Sequence, residues 1–111
     1  MIPMRHSQTA VIERGETYSG EFTSEPYEAP WAEGGRWFVQ IIEQDADARI
    51  ELVTQVSPDG ITWCDAEWVP AVAATAPLTT WSIHDFGAWL RLRGNVSGGT
   101  ARIRIYLVCK E

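Results

Sequence analysis

The chain has 111 residues, of which 45% are hydrophobic and 22% are charged, and its formal net charge at pH 7 is −6. This length suits one domain with a substantial core, and the composition excludes a disordered chain. Net negative charge argues against general affinity for nucleic acid or anionic membranes, and no apolar run is long enough to span a membrane. The first ten residues lack the apolar region of a secretory signal peptide. We therefore expect a single-domain protein with neither nucleic acid nor membrane as a partner.

The N-terminal part of the chain predicts an arm followed by two short strands. Residues 1–9 are polar and have no apolar periodicity, so they are predicted to form an arm that precedes a domain at residues 10–111. Strands are predicted at residues 10–13 and 17–23, and a glycine within the second of them, Gly20, indicates a β-bulge.

Two proline-rich segments are predicted to be long loops. Residues 24–36 contain two prolines and a Gly-Gly pair, and residues 70–80 contain two prolines that leave no room for a helix. The first loop carries Tyr27 and Trp31 among acidic residues, which makes these two aromatic side chains candidate contacts for a partner. The alternative is that both loops close the ends of the domain.

The stretch at residues 49–69 predicts a β-hairpin around which the domain is organised. Ile50, Leu52 and Val56 alternate with polar residues before the turn, as in a half-buried strand. The turn has near-ideal chemistry, because proline sets φ at its second position and glycine accepts a positive φ at its last. The predicted turn residues are Ser57, Pro58, Asp59 and Gly60.

Further strands are predicted at residues 37–44 and 80–83, and two more at residues 88–93 and 101–110 are predicted to pair through a hairpin loop at 94–100. That pairing would gather four arginines between two aromatic side chains, forming a docking surface for an acidic partner. Alternatively, the arginines form a solvated sheet face and pair with carboxylates on a neighbouring strand. The residues of this predicted patch are Trp89, Arg91, Arg93, Arg102, Arg104 and Tyr106.

Together these segments predict an all-β fold. Period-2 alternation recurs in several short segments, turn signals separate them, and no segment supports a helix of three turns. We expect a single-domain antiparallel β-sandwich of about seven to eight strands, for which a jelly-roll topology is one option.

No catalytic or metal-binding motif accompanies the predicted strands. The two histidines lack partners at metal-ligand spacing, and Cys64 and Cys109 match no zinc pattern. Asp45 and Asp47 alternate as calcium ligands do, but no calcium-loop pattern follows them, and a solvated loop is the simpler interpretation. We therefore expect a protein that is not an enzyme and uses no metal or other cofactor.

The predicted turn and the overall layout resemble two known families. Residues 57–63, SPDGITW, resemble the hairpin of discoidin-like (F5/8 type C) carbohydrate-binding jelly rolls, and residues 89–93, WLRLR, are similar to a later strand of those domains. The same heptapeptide resembles an Asp-box that is shortened by one residue. The layout of residues 10–110 is similar to the small β-sandwich structural proteins of tailed bacteriophages, which include capsid decoration proteins.

The phage resemblance implies a virion structural or assembly protein that is assembled in the host cytoplasm. Such a protein would decorate or cement a capsid lattice through its arm, loops and aromatic-arginine face, and would form homo-oligomers. The alternative is a carbohydrate-binding module of the discoidin-like type, which should present an exposed aromatic platform beside polar side chains in a groove.

Overall fold

The computed structural model describes residues 6–111, and this part of the chain contains β-strands and no helix. The structure therefore confirms the all-β, single-domain, antiparallel prediction. In the described range no helix is present that could cross a membrane. The strands are β1 (Ser7–Thr23), β2 (Tyr27–Glu28), β3 (Gly34–Gln44), β4 (Arg49–Ser57), β5 (Cys64–Asp65), β6 (Val72–Ala73), β7 (Leu78–His84) and β8 (Trp89–Lys110).

The centre of the sheet is β8, which is 22 residues long. One of its edges pairs with β1 and, over two residues, with β2. Its other edge pairs with β4 along the N-terminal half and with β3 along the C-terminal half, and all of these pairs are antiparallel. The sheet is completed by β7 beside β3 and by the short β5 and β6 beside β4. The domain is thus organised around β8 rather than around the predicted hairpin at 49–69.

A glycine pair bends β8 at its middle. Alternate side chains are buried on both sides of Gly98 and Gly99, but the buried positions are even-numbered before the pair and odd-numbered after it. Both glycines have positive φ, 77° and 148°. The bend shifts the alternation by one residue, so Leu92 and Ile105 both point into the core. The predicted hairpin at 94–100 is therefore wrong, since residues 88–93 and 101–110 belong to one continuous strand and do not pair with each other.

The connection from β3 to β4 docks against this bend. Asp45 accepts hydrogen bonds at Oδ2 from the backbone N–H of Thr100, at 2.8 Å, and from its hydroxyl, at 3.2 Å. The backbone N–H of Asp45 donates to the carbonyl of Thr100 at 3.0 Å. As a result, β3 and β4 lie end to end along one edge of β8, with their own bend opposite the bend of β8.

The bends fold the sheet into two halves that enclose one core. The half built on β4 contributes residues such as Ile50 and Leu92, and the half built on β3 contributes residues such as Trp37 and Ile105, all at most 2% exposed. The indole N–H of Trp81, on β7, donates to the hydroxyl of Thr54, on β4, at 3.4 Å and so joins the two halves. This layered arrangement is the β-sandwich expected from the sequence.

The N-terminal strands differ from their predicted bounds. The segments at 10–13 and 17–23 form one strand, β1, whose pairing register with β8 shifts at three places. One shift lies between Tyr18 and Gly20, as the bulge prediction required. The strand begins at Ser7, which faces Lys110, so residues 7–9 of the predicted arm are part of the sheet. Residues 1–5 lie outside the described part of the chain.

Candidate functional site

A polar network lies on the outer face of the half that contains β4. Arg91 Nε donates to Gln55 Oε1 at 2.8 Å, and Gln55 Nε2 donates to Asp65 Oδ1 at 2.9 Å. Arg93 Nη2 donates to the other carboxylate oxygen of Asp65 at 3.0 Å. The guanidinium of Arg91 also lies over the ring of Trp63, 4.3 Å from its centroid. We call these five residues, Trp63, Arg91, Gln55, Asp65 and Arg93, the arginine ladder.

Strand register brings the arginine ladder together. Gln55 lies opposite Arg91 on one side and opposite Asp65 on the other, so the three residues share one face of the sheet. Arg93 is two residues from Arg91 and therefore points to the same face. Gln55 is only 7% exposed, which makes it the buried centre of an otherwise accessible network.

The ladder shifts the titration of two of its members. Burial disfavours the charged guanidinium and lowers the pKa of Arg91. The hydrogen bond from Gln55 lowers the pKa of Asp65, and the bond and charge of Arg93 act in the same direction. The side chains of Arg93 and Asp65 are 40% and 51% exposed, so their ion pair contributes at most about 1 kcal/mol of stability. This ion pair thus orients two charged groups more than it stabilises the fold.

The other two arginines of the predicted patch lie on the C-terminal half of β8, where they bond to the backbone of β1. Arg102 Nε donates to the carbonyl of Gly15 at 2.9 Å, and Arg104 Nε donates to the carbonyl of Arg14 at 3.0 Å. Both side chains thereby hold the bulged part of β1 against β8. Tyr106 faces Phe38 and Val11 across the same outer face. The structure therefore separates the six patch residues into two groups, because the hairpin that was predicted to gather them is absent.

Trp89 belongs with the ladder half and supports the turn after β4. Its ring lies directly beside Gly60, where an added Cβ atom would be 3.0 Å from Cε2 of the indole. Gly60 has the positive φ that the turn prediction requires, 78°. The hairpin of β4 and β5 that it joins is shorter than predicted, since β5 contains only Cys64 and Asp65.

The aromatic residues of the first loop pack against the domain. Tyr27 pairs with Leu90 through the two-residue strand β2, and burial raises its pKa. Trp31 packs against the core and meets His6 edge-on, with ring centroids 4.5 Å apart. Trp68, in the segment after β5, is 41% exposed and donates its indole N–H to the carbonyl of His84 at 2.7 Å. This packing matches the alternative in which the loops close the ends of the sandwich.

The residues considered as metal ligands or reactive groups are dispersed. Among the described residues no three His, Cys, Asp or Glu side chains form a group that could hold a metal ion. Asp45 is bonded to Thr100, and His84 Nδ1 lies 3.1 Å from a carboxylate oxygen of its neighbour Asp85. Cys64 is exposed, whereas Cys109 is buried and its pKa is raised to about 11 by burial.

An open groove that the sequence did not indicate lies along β4 and β6, and none of the residues that line it belongs to the ladder. Its volume is about 520 Å³, and polar side chains such as Arg49, Glu51 and Asn95 line it together with small apolar ones. No aromatic side chain is among the described residues that line it. The groove depends on the pairing of Val72–Ala73 with β4, inside a segment predicted to be a loop. In the sequence, the only indication of this pairing is the isolated β-branched residue Val72 among alanines.

Comparison with known proteins identifies the fold but no family. No family model matches the chain, and no curated protein matches it. Its fold is similar to the solved structure of the SPBc2 prophage-derived protein YomS, with a TM-score of 0.61, 9% identity, and coverage of 100% of this chain and 98% of that one. It is also similar to the PBSX exported protein XepA, with a TM-score of 0.59, 14% identity, and coverage of 96% of this chain and 36% of XepA.

A third similar structure is the Yersinia pseudotuberculosis-derived mitogen, with a TM-score of 0.50, 14% identity, and coverage of 96% of this chain and 86% of that one. At these identities the similarity shows a shared fold and nothing further. The first two structures are those of phage-derived proteins, and the third is that of a mitogen.

Proposed function

We propose that this protein is a non-enzymatic structural component of a bacteriophage particle, and that it decorates or cements a capsid lattice. The observation that carries the proposal is the similarity in fold, along nearly the whole of both chains, to a prophage-derived protein. XepA, a second phage-derived protein, contains a similar fold within a longer chain. The fold therefore occurs in phage-derived proteins both as nearly the whole chain and as part of a longer one. The acidic charge of −6 would keep free subunits soluble before assembly.

The arginine ladder is the surface through which the protein would dock. Among the described residues Gln55 is the one hydrogen-bond acceptor of Arg91, which leaves the terminal nitrogens of the guanidinium for a partner. The ring of Trp63 and the amide of Gln55 hold the guanidinium in place, so binding a carboxylate would cost little side-chain ordering. Aromatic and arginine side chains at the centre of a patch are typical of residues that dominate binding energy.

The ladder suits recognition rather than bond making or sugar binding. Apart from the terminal nitrogens of Arg91, the donors and acceptors described above bond to one another, and Arg91 covers one face of the aromatic ring. The groove along β4 and β6 offers polar side chains, but its described lining has no aromatic platform of the kind that a carbohydrate module needs. The lattice proposal therefore has the better support of the two functions that the sequence suggested.

A rebinding experiment tests the proposal. Particles produced by the genome that encodes this chain are purified with and without the gene, and mass spectrometry determines whether the chain is part of them. Gene-deleted particles are then incubated with the purified protein and sedimented. We expect the wild-type protein to sediment with the particles and Arg91→Gln to bind at least about tenfold more weakly, because the central anchor is lost.

Arg49→Gln is the matched control, since it removes the same charge from an exposed arginine outside the ladder. We expect it to bind as the wild type does, and far-UV circular dichroism shows whether all variants are folded. Absence of the chain from purified particles, or failure of the wild-type protein to rebind, would contradict the proposed function. Equal binding of Arg91→Gln and wild type would leave the particle role standing and reject the ladder as the docking surface.

A further inference from the structure

We propose that β7 is a self-pairing edge, and that two copies of the chain join antiparallel along Leu78–His84 to form one continuous sheet. This inference goes beyond the proposed function and does not depend on it. It starts from the fact that a strand at the edge of a sheet leaves half of its backbone hydrogen-bonding groups open to another chain.

The open edges of this sheet differ in how well they are protected. Among the described strands β1 pairs only with β8, but its register shifts at three places and it carries Glu13, Arg14, Glu16 and Glu21. Strands β5 and β6 are two residues long, too short to serve as a template. Strand β7 has seven residues, pairs with β3 without any register shift, and contains no Asp, Glu, Lys, Arg or Pro. Bulges and charges are the usual means of blocking an edge, and β7 has neither.

Alternation along β7 determines which backbone groups are open. The N–H of Ile41 donates to the carbonyl of Pro77 at 2.9 Å, which marks this position as a hydrogen-bonded one, although Pro77 has no N–H to return the bond. In an antiparallel ladder such positions recur at every second residue. The backbone N–H and C=O groups of odd-numbered β7 residues therefore bond to β3, and those of even-numbered residues point away from β3 toward the open edge. The even-numbered residue His84 agrees with this alternation, since its carbonyl accepts a hydrogen bond from the indole N–H of Trp68 and not from β3. Thr80 and Ser82 therefore present their N–H and C=O groups at the open edge.

The sequence of β7 is compatible with its own copy in one register. With a twofold axis at Trp81, Thr80 lies opposite Ser82 of the second copy, and the two positions exchange about four backbone hydrogen bonds in all. Residues of one face meet residues of the same face, because odd positions oppose odd positions. Thr79, Trp81 and Ile83 would extend the inner layer across the junction, and Leu78, which is 53% exposed, would be partly covered on the outer face.

Charge does not oppose a second copy at this edge. Each chain has a formal net charge of −6, so most surfaces of two copies repel each other. Strand β7 carries no formal charge when His84 is neutral, so the two copies would meet there without opposed like charges. Trp68 closes the His84 end of the edge, which limits pairing to the central residues.

Light scattering and sedimentation of the full chain, from about 1 µM to about 1 mM, test this inference. We expect a reversible monomer–dimer equilibrium, and in amide hydrogen exchange we expect Thr80 and Ser82 to become protected as concentration rises. Ser82→Pro removes one outward N–H and leaves the bonds to β3 intact, so it should weaken dimerisation at least about tenfold. Ser82→Ala keeps the N–H and should dimerise as the wild type does.

Circular dichroism shows whether Ser82→Pro is folded. If it is not, Ser82→Lys tests the same point, because a charge on an open edge opposes pairing without any change to the backbone. Three results would overturn the inference: a monomer at every concentration, a folded Ser82→Pro or Ser82→Lys protein that dimerises as tightly as wild type, or concentration-dependent protection that spares Thr80 and Ser82.

Discussion

Gly60 is held between a network of turn hydrogen bonds and an aromatic ring. The hydroxyl of Ser57 accepts the backbone N–H of Gly60 at 2.8 Å, and Asp59 Oδ1 accepts the N–H groups of Ile61 and Thr62, both at 2.9 Å. These bonds satisfy the backbone of the turn and fix Gly60 at φ 78°. On its open side lies the ring of Trp89, so both the backbone conformation and the available space favour a residue without a Cβ atom.

We expect Gly60→Val to lower the free energy of unfolding by about 1–3 kcal/mol, because a β-branched residue is strained at positive φ and its Cβ would crowd Trp89. Urea denaturation at equilibrium measures the loss. Gly60→Asn is the control. Asparagine tolerates positive φ, so this variant should lose only the stability that the contact between its Cβ and Trp89 costs. A Gly60→Val midpoint equal to that of wild type would contradict this account of the turn.

At the level of single residues, local chemistry was predictable and register-dependent chemistry was not. The positive φ of Gly60 follows from four consecutive residues, and the structure confirms it. The contact of Arg91 with Gln55 joins residues 36 positions apart, and it depends on how β4 aligns with β8. The sequence identified Arg91 as a candidate contact but supplied no means of choosing its neighbours.

At the level of elements, the bend of β8 decides how the sheet folds. A Cβ atom on Gly98 would overlap the backbone carbonyl of Asp47, and one on Gly99 would lie 2.6 Å from Oδ2 of Asp45. The β3–β4 connection therefore approaches the β8 backbone as closely as it does because both residues are glycine. That approach permits the hydrogen bonds between Asp45 and Thr100 that join the two bends.

We expect Gly98→Ala to destabilise the protein by about 2–4 kcal/mol, since it adds a steric overlap with backbone to the strain of positive φ. Gly20→Ala is a matched control, because Gly20 has nearly the same φ, 76°, but no atom lies within 4 Å of its added Cβ. The control should cost only about 1 kcal/mol. Denaturation midpoints of the two variants provide the comparison, and equal losses would show that the Asp47 contact is unimportant.

The same glycines explain why the prediction of a hairpin at 94–100 failed. A glycine-rich segment between two alternating strands is typical of a chain reversal, and the sequence does not distinguish a reversal from a bend within one strand. The distinction depends on Asp45 and Asp47, which approach from a distant part of the chain. The alternating burial of the flanking segments was predictable, because it depends only on local periodicity.

At the level of the whole molecule, both halves of the sandwich share β8, and the two ends of the described chain meet on it. Ser7 pairs with Lys110, and the backbone N–H of Glu111 donates to the carbonyl of His6 at 3.1 Å. Neither half has a complete sheet without β8, and one core contains the side chains of both. The all-β class of the fold was predictable from the sequence, whereas this sharing was not, because local patterns do not encode which strand is central.

This shared strand predicts that the two halves unfold together. Leu92 and Ile105 are each 0% exposed, and they lie in different halves of β8. We expect Leu92→Ala and Ile105→Ala each to lower the free energy of unfolding by about 2–5 kcal/mol, because each leaves a cavity in the common core. In urea, tryptophan fluorescence and far-UV circular dichroism should report the same single transition for wild type and for both variants. If the halves were independent, each substitution would split the curve into one shifted and one unshifted transition, and the central role of β8 would be refuted.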